Sequence, residues 1–160
     1  MNSSFLQDLD PTTSSIEYLC TTAEKLVEEN RHFDAVLSLE VIEHVEDPTE
    51  FCKSLSALTV PGGALVISTP NRTVKSHAAV IVAAEYLLRW LPVGTHDWTK
   101  FITPEELTLV LQRNSISVQE IAGFVNNPMT GQWFISDDTT INYIVFGTKS
   151  NDAKNEDPAL

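Results

Sequence analysis

Short apolar runs rich in β-branched residues alternate along this chain with segments that begin with helix-capping side chains. Such alternation is typical of βαβ units built around a mostly parallel sheet. The runs predicted as strands are Ser15 to Cys20, Asp34 to Leu39, Ala64 to Ser68, Val118 to Phe124 and Ile141 to Thr148. Ala35 to Leu37 and Leu65 to Ile67 are continuously apolar, which predicts strands buried on both faces. We therefore expect an α/β fold.

Three predicted helices begin with a capping side chain followed by a glutamate three residues later, the pattern of a capping box. The pairs are Thr21 with Glu24, Asp47 with Glu50, and Thr103 with Glu106. A proline follows the cap in the last two, where its missing N–H costs nothing. The expected helices span about Thr22 to Asn30, Pro48 to Leu58 and Pro104 to Asn114.

The order of the elements predicts where function lies. The last two predicted strands flank Asn126 to Gly131, a turn-rich connection suited to an antiparallel pair. The chain thus predicts a Rossmann-like parallel sheet that ends in an antiparallel hairpin. Such sheets bind ligands at the C-terminal ends of their parallel strands, so the loops after Cys20, Leu39 and Ser68 are the expected sites.

Charge and composition limit the classes of partner. The 160 residues carry 10 Lys and Arg against 22 Asp and Glu, a formal net charge of -12. That sign argues against phosphate-backbone binding, which needs a basic face, so no nucleic acid partner is expected. Residues 150–160 form a polar stretch without periodicity, predicted to be a disordered acidic tail behind a domain of residues 1–149. Met1 to Pro11 shows no signal or transit peptide pattern.

Three ligand-capable side chains follow the second predicted strand directly. If Glu40 opens a helical turn, Glu43 and His44 lie three and four positions on and share its face. Two carboxylates and one imidazole suit Mg²⁺, Mn²⁺ or Zn²⁺. The alternative is structural, since acidic side chains near a helix start are favoured by the helix dipole.

Two further features have open interpretations. The apolar segment His77 to Leu91 predicts a helix too short to span a bilayer, which either lies at a membrane interface or packs on the sheet. His96 follows on a loop and is a candidate base or substrate contact, or a residue that stabilises a turn.

Several motifs resemble a known family. The segments FDAVLSLEVIEHVEDP, PGG-x-LVISTPNR, AAEYLLRWLPVGTHDWTKFITPEEL and AGFVNNPMTG…INYIVFGTK resemble the polyprenyl-dihydroxybenzoate and demethylubiquinol O-methyltransferases of ubiquinone biosynthesis. The resemblance runs from about Asp10 to Lys149, and GTHDW-x-KF is its most specific part. The segments CTTAEKL and FCKSLSAL are similar to those of eukaryotic, plant-like mitochondrial members.

The resemblance implies methyl transfer from S-adenosylmethionine to a hydroxyl of a polyprenylated catechol or quinol. It implies a divalent ion, with Mg²⁺ first, at Glu40, Glu43 and His44, and cofactor contact at Leu39. Thr22, Ala23 and Glu24 are expected to border the adenine pocket, and a capping role alone also explains them. Glu43, His44 and His96 are the expected catalytic residues.

The resemblance also implies a setting. Expected partners are the other ubiquinone-biosynthesis proteins and a membrane surface. Expected localisation is peripheral, on the matrix side of the mitochondrial inner membrane.

One departure from the family limits these implications. Family members carry a glycine-rich cofactor loop and an acidic ribose-binding residue ahead of this region, whereas no glycine precedes Gly62 here. We therefore expect residues 1–149 to form a partial, N-terminally truncated methyltransferase domain. Two alternatives are a catalytically silent fragment that acts as a binding subunit of the biosynthetic complex and a methyltransferase with another small-molecule acceptor.

Overall fold

A mixed sheet organises the part of the chain that the structure, a computed structural model, describes: residues 15–87, 92, 94–127 and 130–151. Its strands are β1 (Phe33–Leu39), β2 (Thr59–Pro70), β3 (Ile116–Asn126), β4 (Trp133–Ser136) and β5 (Asn142–Lys149). They lie in the order β1-β2-β5-β3-β4. β1 and β2 are parallel, and the other three pairings are antiparallel. The predicted α/β class with an antiparallel end is confirmed.

The helices lie where their caps place them. They are α1 (Ala23–Glu28), α2 (Pro48–Leu58) and α3 (Pro104–Arg113). Short 3₁₀ turns cover Ile42–His44 and Trp98–Lys100. A single α-helical turn, Val74–Ser76, leads into a π-helix, His77–Leu87. The predicted continuation of that helix to Leu91 lies outside the described residues.

Capping explains the starts of α2 and α3. Thr103 accepts a hydrogen bond from the Glu106 amide at 3.3 Å, and the Glu106 carboxylate accepts one from the Thr103 amide at 3.0 Å, so this capping box is confirmed. Asp47 caps α2 through the Thr49 and Glu50 amides. At α1 the cap is Thr22 rather than the predicted Thr21.

One predicted strand and one predicted connection were wrong. Ser15 to Cys20 is not a strand, because a strand requires a hydrogen-bonded neighbour and no described residue pairs with this segment. The turn-rich connection after β3 leads to β4, not directly to the final strand, since β3 pairs with both β4 and β5. β4 escaped prediction because its four residues give too short a pattern.

One face of the sheet carries the core. α2 and α3 pack there on buried residues that include Leu55, Leu65, Ile67, Leu107, Leu111, Tyr143 and Val145. On the other face, Leu37 pairs with Val66 and Val66 with Phe146, so these side chains point the same way. Leu37 is 63% exposed. The prediction that β1 is buried on both faces was therefore wrong for the described part of the chain.

The predictions for membrane crossing and for the C-terminal tail concern segments that the structure describes in part. No helix among the described residues has the length and apolarity to cross a bilayer. The predicted tail, residues 150–160, lies outside the described residues beyond Asn151.

Candidate functional site

Glu40 begins the site at the C-terminal edge of the parallel strand pair. Leu39 of β1 lies in register with Ser68 of β2, and Glu40 follows with φ 55. This left-handed conformation is uncommon for a residue with a side chain. It is held by the Glu40 amide, which donates to the Ser68 carbonyl at 3.0 Å. The strand therefore ends abruptly, and the carboxylate of Glu40 turns toward β2 and β5.

The Glu40 carboxylate is held from two strands. The Ser68 hydroxyl donates to Oε1 at 2.8 Å, and the Asn142 amide donates to Oε2 at 3.3 Å. Burial raises the pKa of Glu40 to about 7, with a smaller raising effect from the charge of Glu43. The Ser68 hydrogen bond opposes this shift only in part. Glu40 is thus a positioned carboxyl that titrates near neutrality.

Glu43 lies in the 3₁₀ turn Ile42–His44 and is 2% exposed. The Thr69 hydroxyl donates to its Oε2 at 2.9 Å. Its other oxygen, Oε1, is buried and has no hydrogen-bond partner in the described part of the chain. The Nε2 atom of His44 lies 3.8 Å from Oε1, too far for a hydrogen bond. One carboxylate oxygen is therefore anchored and the other is available to a ligand.

His96 reaches this turn from the loop before α3. Its ring centroid lies 5.4 Å from that of His44 and 6.0 Å from that of Phe101. Three ligand atoms, one each from Glu43, His44 and His96, lie within 4.8 Å of one another. Glu40 does not belong to this cluster. We call Glu43, His44 and His96 the two-histidine cluster.

The His96 loop is fixed on both sides. Before His96, the Thr95 hydroxyl donates to the Pro92 carbonyl at 2.6 Å. After it, the Asp97 carboxylate accepts from the amide and hydroxyl of Thr99 at 2.9 and 2.6 Å. The Trp98 indole donates to the Thr73 carbonyl at 3.3 Å. The loop is thus tied to the segment that follows β2.

Three of the four predicted cofactor residues lie along an open groove of about 590 Å³ beside β1. Leu39, Thr22 and Ala23 line it, and Glu24 does not. Glu24 is exposed on α1. The structure therefore brings three of the four residues to one surface, at the strand end where Rossmann-like sheets bind ligands.

Three polar residues of the site were missed by the sequence analysis. Ser68 and Thr69 end β2, beside the residues that follow β1, so the parallel pairing itself was a usable signal. Asn142 begins β5. Because β5 runs antiparallel to β2, its first residue lies at the edge where β2 ends, and only the strand order reveals this.

Comparisons with known proteins place the chain. Residues 7–120 match the family model described as a methyltransferase domain. The chain is 67% identical over 145 residues to a ubiquinone biosynthesis O-methyltransferase, mitochondrial, of Arabidopsis thaliana, a match that covers 91% of this chain and 45% of that protein. It is 46% identical over 137 residues to a ubiquinone biosynthesis O-methyltransferase of Parvibaculum lavamentivorans, covering 86% of this chain and 54% of that protein.

The fold comparison agrees. A SAM-dependent methyltransferase of Thermotoga maritima, described as a possible histamine N-methyltransferase, superposes with a TM-score of 0.63 at 16% identity, covering 92% of this chain and 70% of that one. The chain spans about half the length of the curated relatives described above. The resemblance drawn from the sequence motifs is confirmed as homology, and the chain belongs to the methyltransferase domain family.

Proposed function

We propose that the chain carries the acceptor side of an S-adenosylmethionine-dependent O-methyltransferase that methylates a polyprenylated catechol or quinol in ubiquinone biosynthesis. Its relatives at 67% and 46% identity bear that name. The observation that supports it most is the buried Glu43 carboxylate with one oxygen available at the strand edge, beside two imidazoles. Such a cluster suits the binding of an oxygen acceptor through a divalent ion.

The groove beside β1 fits a role in cofactor binding. S-adenosylmethionine, when bound, supplies the electrophilic methyl group. Leu39 lies at the end of β1, next in sequence to Glu40, and Thr22 and Ala23 line the same groove. These residues offer mostly apolar contact, which suits an adenine ring better than the charged amino-acid moiety. The chain itself would therefore hold the adenine side of the cofactor.

Glu43 and His44 fit a divalent ion. Glu43 offers a buried carboxylate oxygen without a partner in the described residues, and exposed His44 leaves the site open to solvent on one side. An ion held there would lower the pKa of a catechol hydroxyl. Glu40, the third predicted ligand, lies at the same edge of the sheet, and both of its oxygens are hydrogen-bonded. There it would accept a proton from the hydroxyl group that receives the methyl group.

The π-helix fits a role at a membrane surface. Val74, just before it, is 82% exposed, and Val82 within it is 40% exposed. Exposed aliphatic side chains near a site for a prenylated acceptor suit peripheral attachment to lipid. We propose attachment to the matrix side of the mitochondrial inner membrane, in line with the mitochondrial name of the Arabidopsis thaliana relative, where the other ubiquinone-biosynthesis proteins would be its partners.

A second candidate function is that of a silent binding subunit. It is favoured by the apolar sheet face around Leu37, which is 63% exposed and suits protein docking. A complementation experiment distinguishes the two functions, in a bacterial strain that lacks its ubiquinone biosynthesis O-methyltransferase. The chain is joined there to the glycine-rich region that family members carry ahead of it. Restored ubiquinone supports the enzyme, and ubiquinone that stays absent while the protein is folded and abundant supports the subunit.

A further inference from the structure

His96 lies against the Glu43–His44 pair although its loop is remote in sequence. We propose that His96 is a ligand of the divalent ion, so that Glu43, His44 and His96 form a site of two imidazoles and one carboxylate. Glu40 stays outside this site. The inference rests on the proposed function for the purpose of the ion, and it names the ligands and the chemical class of the ion.

The distances are close to those that one shared ion requires. The three candidate ligand atoms lie within 4.8 Å of one another. Nitrogen and oxygen ligands lie about 2.0–2.2 Å from Zn²⁺, so two ligands of one ion are at most about 4 Å apart. The His44 side chain is exposed, so a change of its rotamer can bring the three atoms closer together.

The buried oxygen of Glu43 supplies an independent reason for a cation. Thr69 satisfies only Oε2, and a buried carboxylate oxygen without a partner is costly. A single ion bound by the imidazoles of His44 and His96 would supply the missing partner of Oε1.

Glu40 is engaged elsewhere. Its two oxygens accept from Ser68 and Asn142, residues of two different strands. Its oxygens are also not part of the group of ligand atoms that lie within 4.8 Å of one another. We therefore expect two separate groups at this edge of the sheet: the two-histidine cluster, which binds the ion, and the Glu40 carboxyl, which does not.

The ligand set selects the kind of ion. Imidazole nitrogens suit Zn²⁺ and similar transition ions, whereas Mg²⁺ prefers an all-oxygen shell. Two histidines against one carboxylate therefore favour Zn²⁺ over the Mg²⁺ first expected from the resemblance.

The experiment uses the whole 160-residue chain after chelation and dialysis. Zn²⁺ affinity is measured by calorimetry with and without Mg²⁺ as competitor. Pulsed electron paramagnetic resonance with one equivalent of Cu²⁺ counts the coordinated imidazoles. We expect two imidazoles, one Zn²⁺ and weak competition by Mg²⁺. His96→Gln should leave one imidazole and lower the Zn²⁺ affinity by at least about tenfold, as even supporting residues of metal sites do.

Two control variants show whether the loss of Zn²⁺ binding is specific to the proposed ligands. His32, exposed and bonded through Nδ1 to the Asn30 carbonyl, serves as the control, and His32→Gln should keep both the affinity and the count. Glu40→Gln should keep the Zn²⁺ affinity that Glu43→Gln loses. The inference is overturned if His96→Gln retains two imidazoles, or if Glu40→Gln weakens Zn²⁺ as much as Glu43→Gln.

Two further outcomes also decide between the possibilities: a His96→Gln variant that does not fold, and a metal site in a protein without enzyme activity. Should His96→Gln fail to fold by circular dichroism, the wild-type Cu²⁺ spectrum decides, since a single imidazole there contradicts the inference. A wild-type chain with two imidazoles and no restored ubiquinone in the bacterial strain would support the metal site and contradict the proposed enzyme.

Discussion

The Thr69 hydroxyl donates a 2.9 Å hydrogen bond to Oε2 of Glu43, while Oε1 of the same carboxylate has no partner among the described residues. The two oxygens therefore have different tasks. One fixes the side chain against the end of β2, and the other faces His44 at 3.8 Å. A carboxylate held in this way is positioned before any ligand arrives.

Glu43→Gln tests that division of tasks. The amide of glutamine keeps an oxygen that accepts from Thr69, so the fold should persist, but it removes the charge that a cation requires. Zn²⁺ affinity should fall by about tenfold or more. Calorimetry measures the affinity, and circular dichroism checks the fold. Unchanged Zn²⁺ binding by the folded variant would show that the cluster is structural.

Glu40 makes stability depend on pH. Its pKa is about 7 in the folded protein against an ordinary value of 4.5, so between these values the folded state keeps a proton that the unfolded state loses. The stability that this carboxyl contributes is present below about pH 4.5 and is lost as the pH rises toward 7, by up to about 3 kcal/mol.

Glu40→Gln should remove this dependence. Urea unfolding in the presence of a chelator, at about pH 5 and about pH 8, gives the free energy of unfolding of each protein. The wild-type protein should lose more stability than the variant across this interval. Equal losses would mean that Glu40 is ionised in the folded protein.

The two cysteines should differ in reactivity. Burial raises the pKa of the Cys52 thiol to about 12, and Cys20 is exposed. Because the thiolate is the reactive form, a disulfide reagent near neutral pH should modify Cys20 in the folded protein and Cys52 only after unfolding. Mass spectrometry of the labelled peptides identifies the site. Equal labelling of both cysteines under native conditions would contradict the burial of Cys52.

Membrane attachment is tested at the exposed aliphatic residues. The double variant Val74→Glu, Val82→Glu should release the protein from liposomes. Two aliphatic side chains buried in lipid contribute about 3–6 kcal/mol to membrane binding. A net charge of -12 disfavours anionic lipid, so binding should persist at high salt. Leu109→Glu, at a residue of α3 that is 54% exposed, is the control. Sedimentation of the folded double variant with liposomes would exclude this surface as the anchor.

Local signals explain what the sequence analysis could predict. The caps Asp47 and Thr103 act within one turn, so α2 and α3 were placed to within a residue. The position of His96 beside His44 depends on a loop tied to the segment after β2, and that of Asn142 depends on the strand order, so neither follows from a local pattern. The apolar run of β1 correctly predicted a strand but not its exposed face, because burial depends on what packs there.

The most direct measurement follows a labelled methyl group. The chain, joined to the part of the Arabidopsis thaliana relative that it does not cover, is incubated with trideuteromethyl S-adenosylmethionine and a polyprenyl-dihydroxybenzoate, and the product is examined by mass spectrometry. The account predicts one deuterated methyl on a ring oxygen, and its loss in Glu43→Gln despite intact cofactor binding. An unlabelled acceptor with the cofactor bound, or equal labelling by Glu43→Gln, would contradict the account.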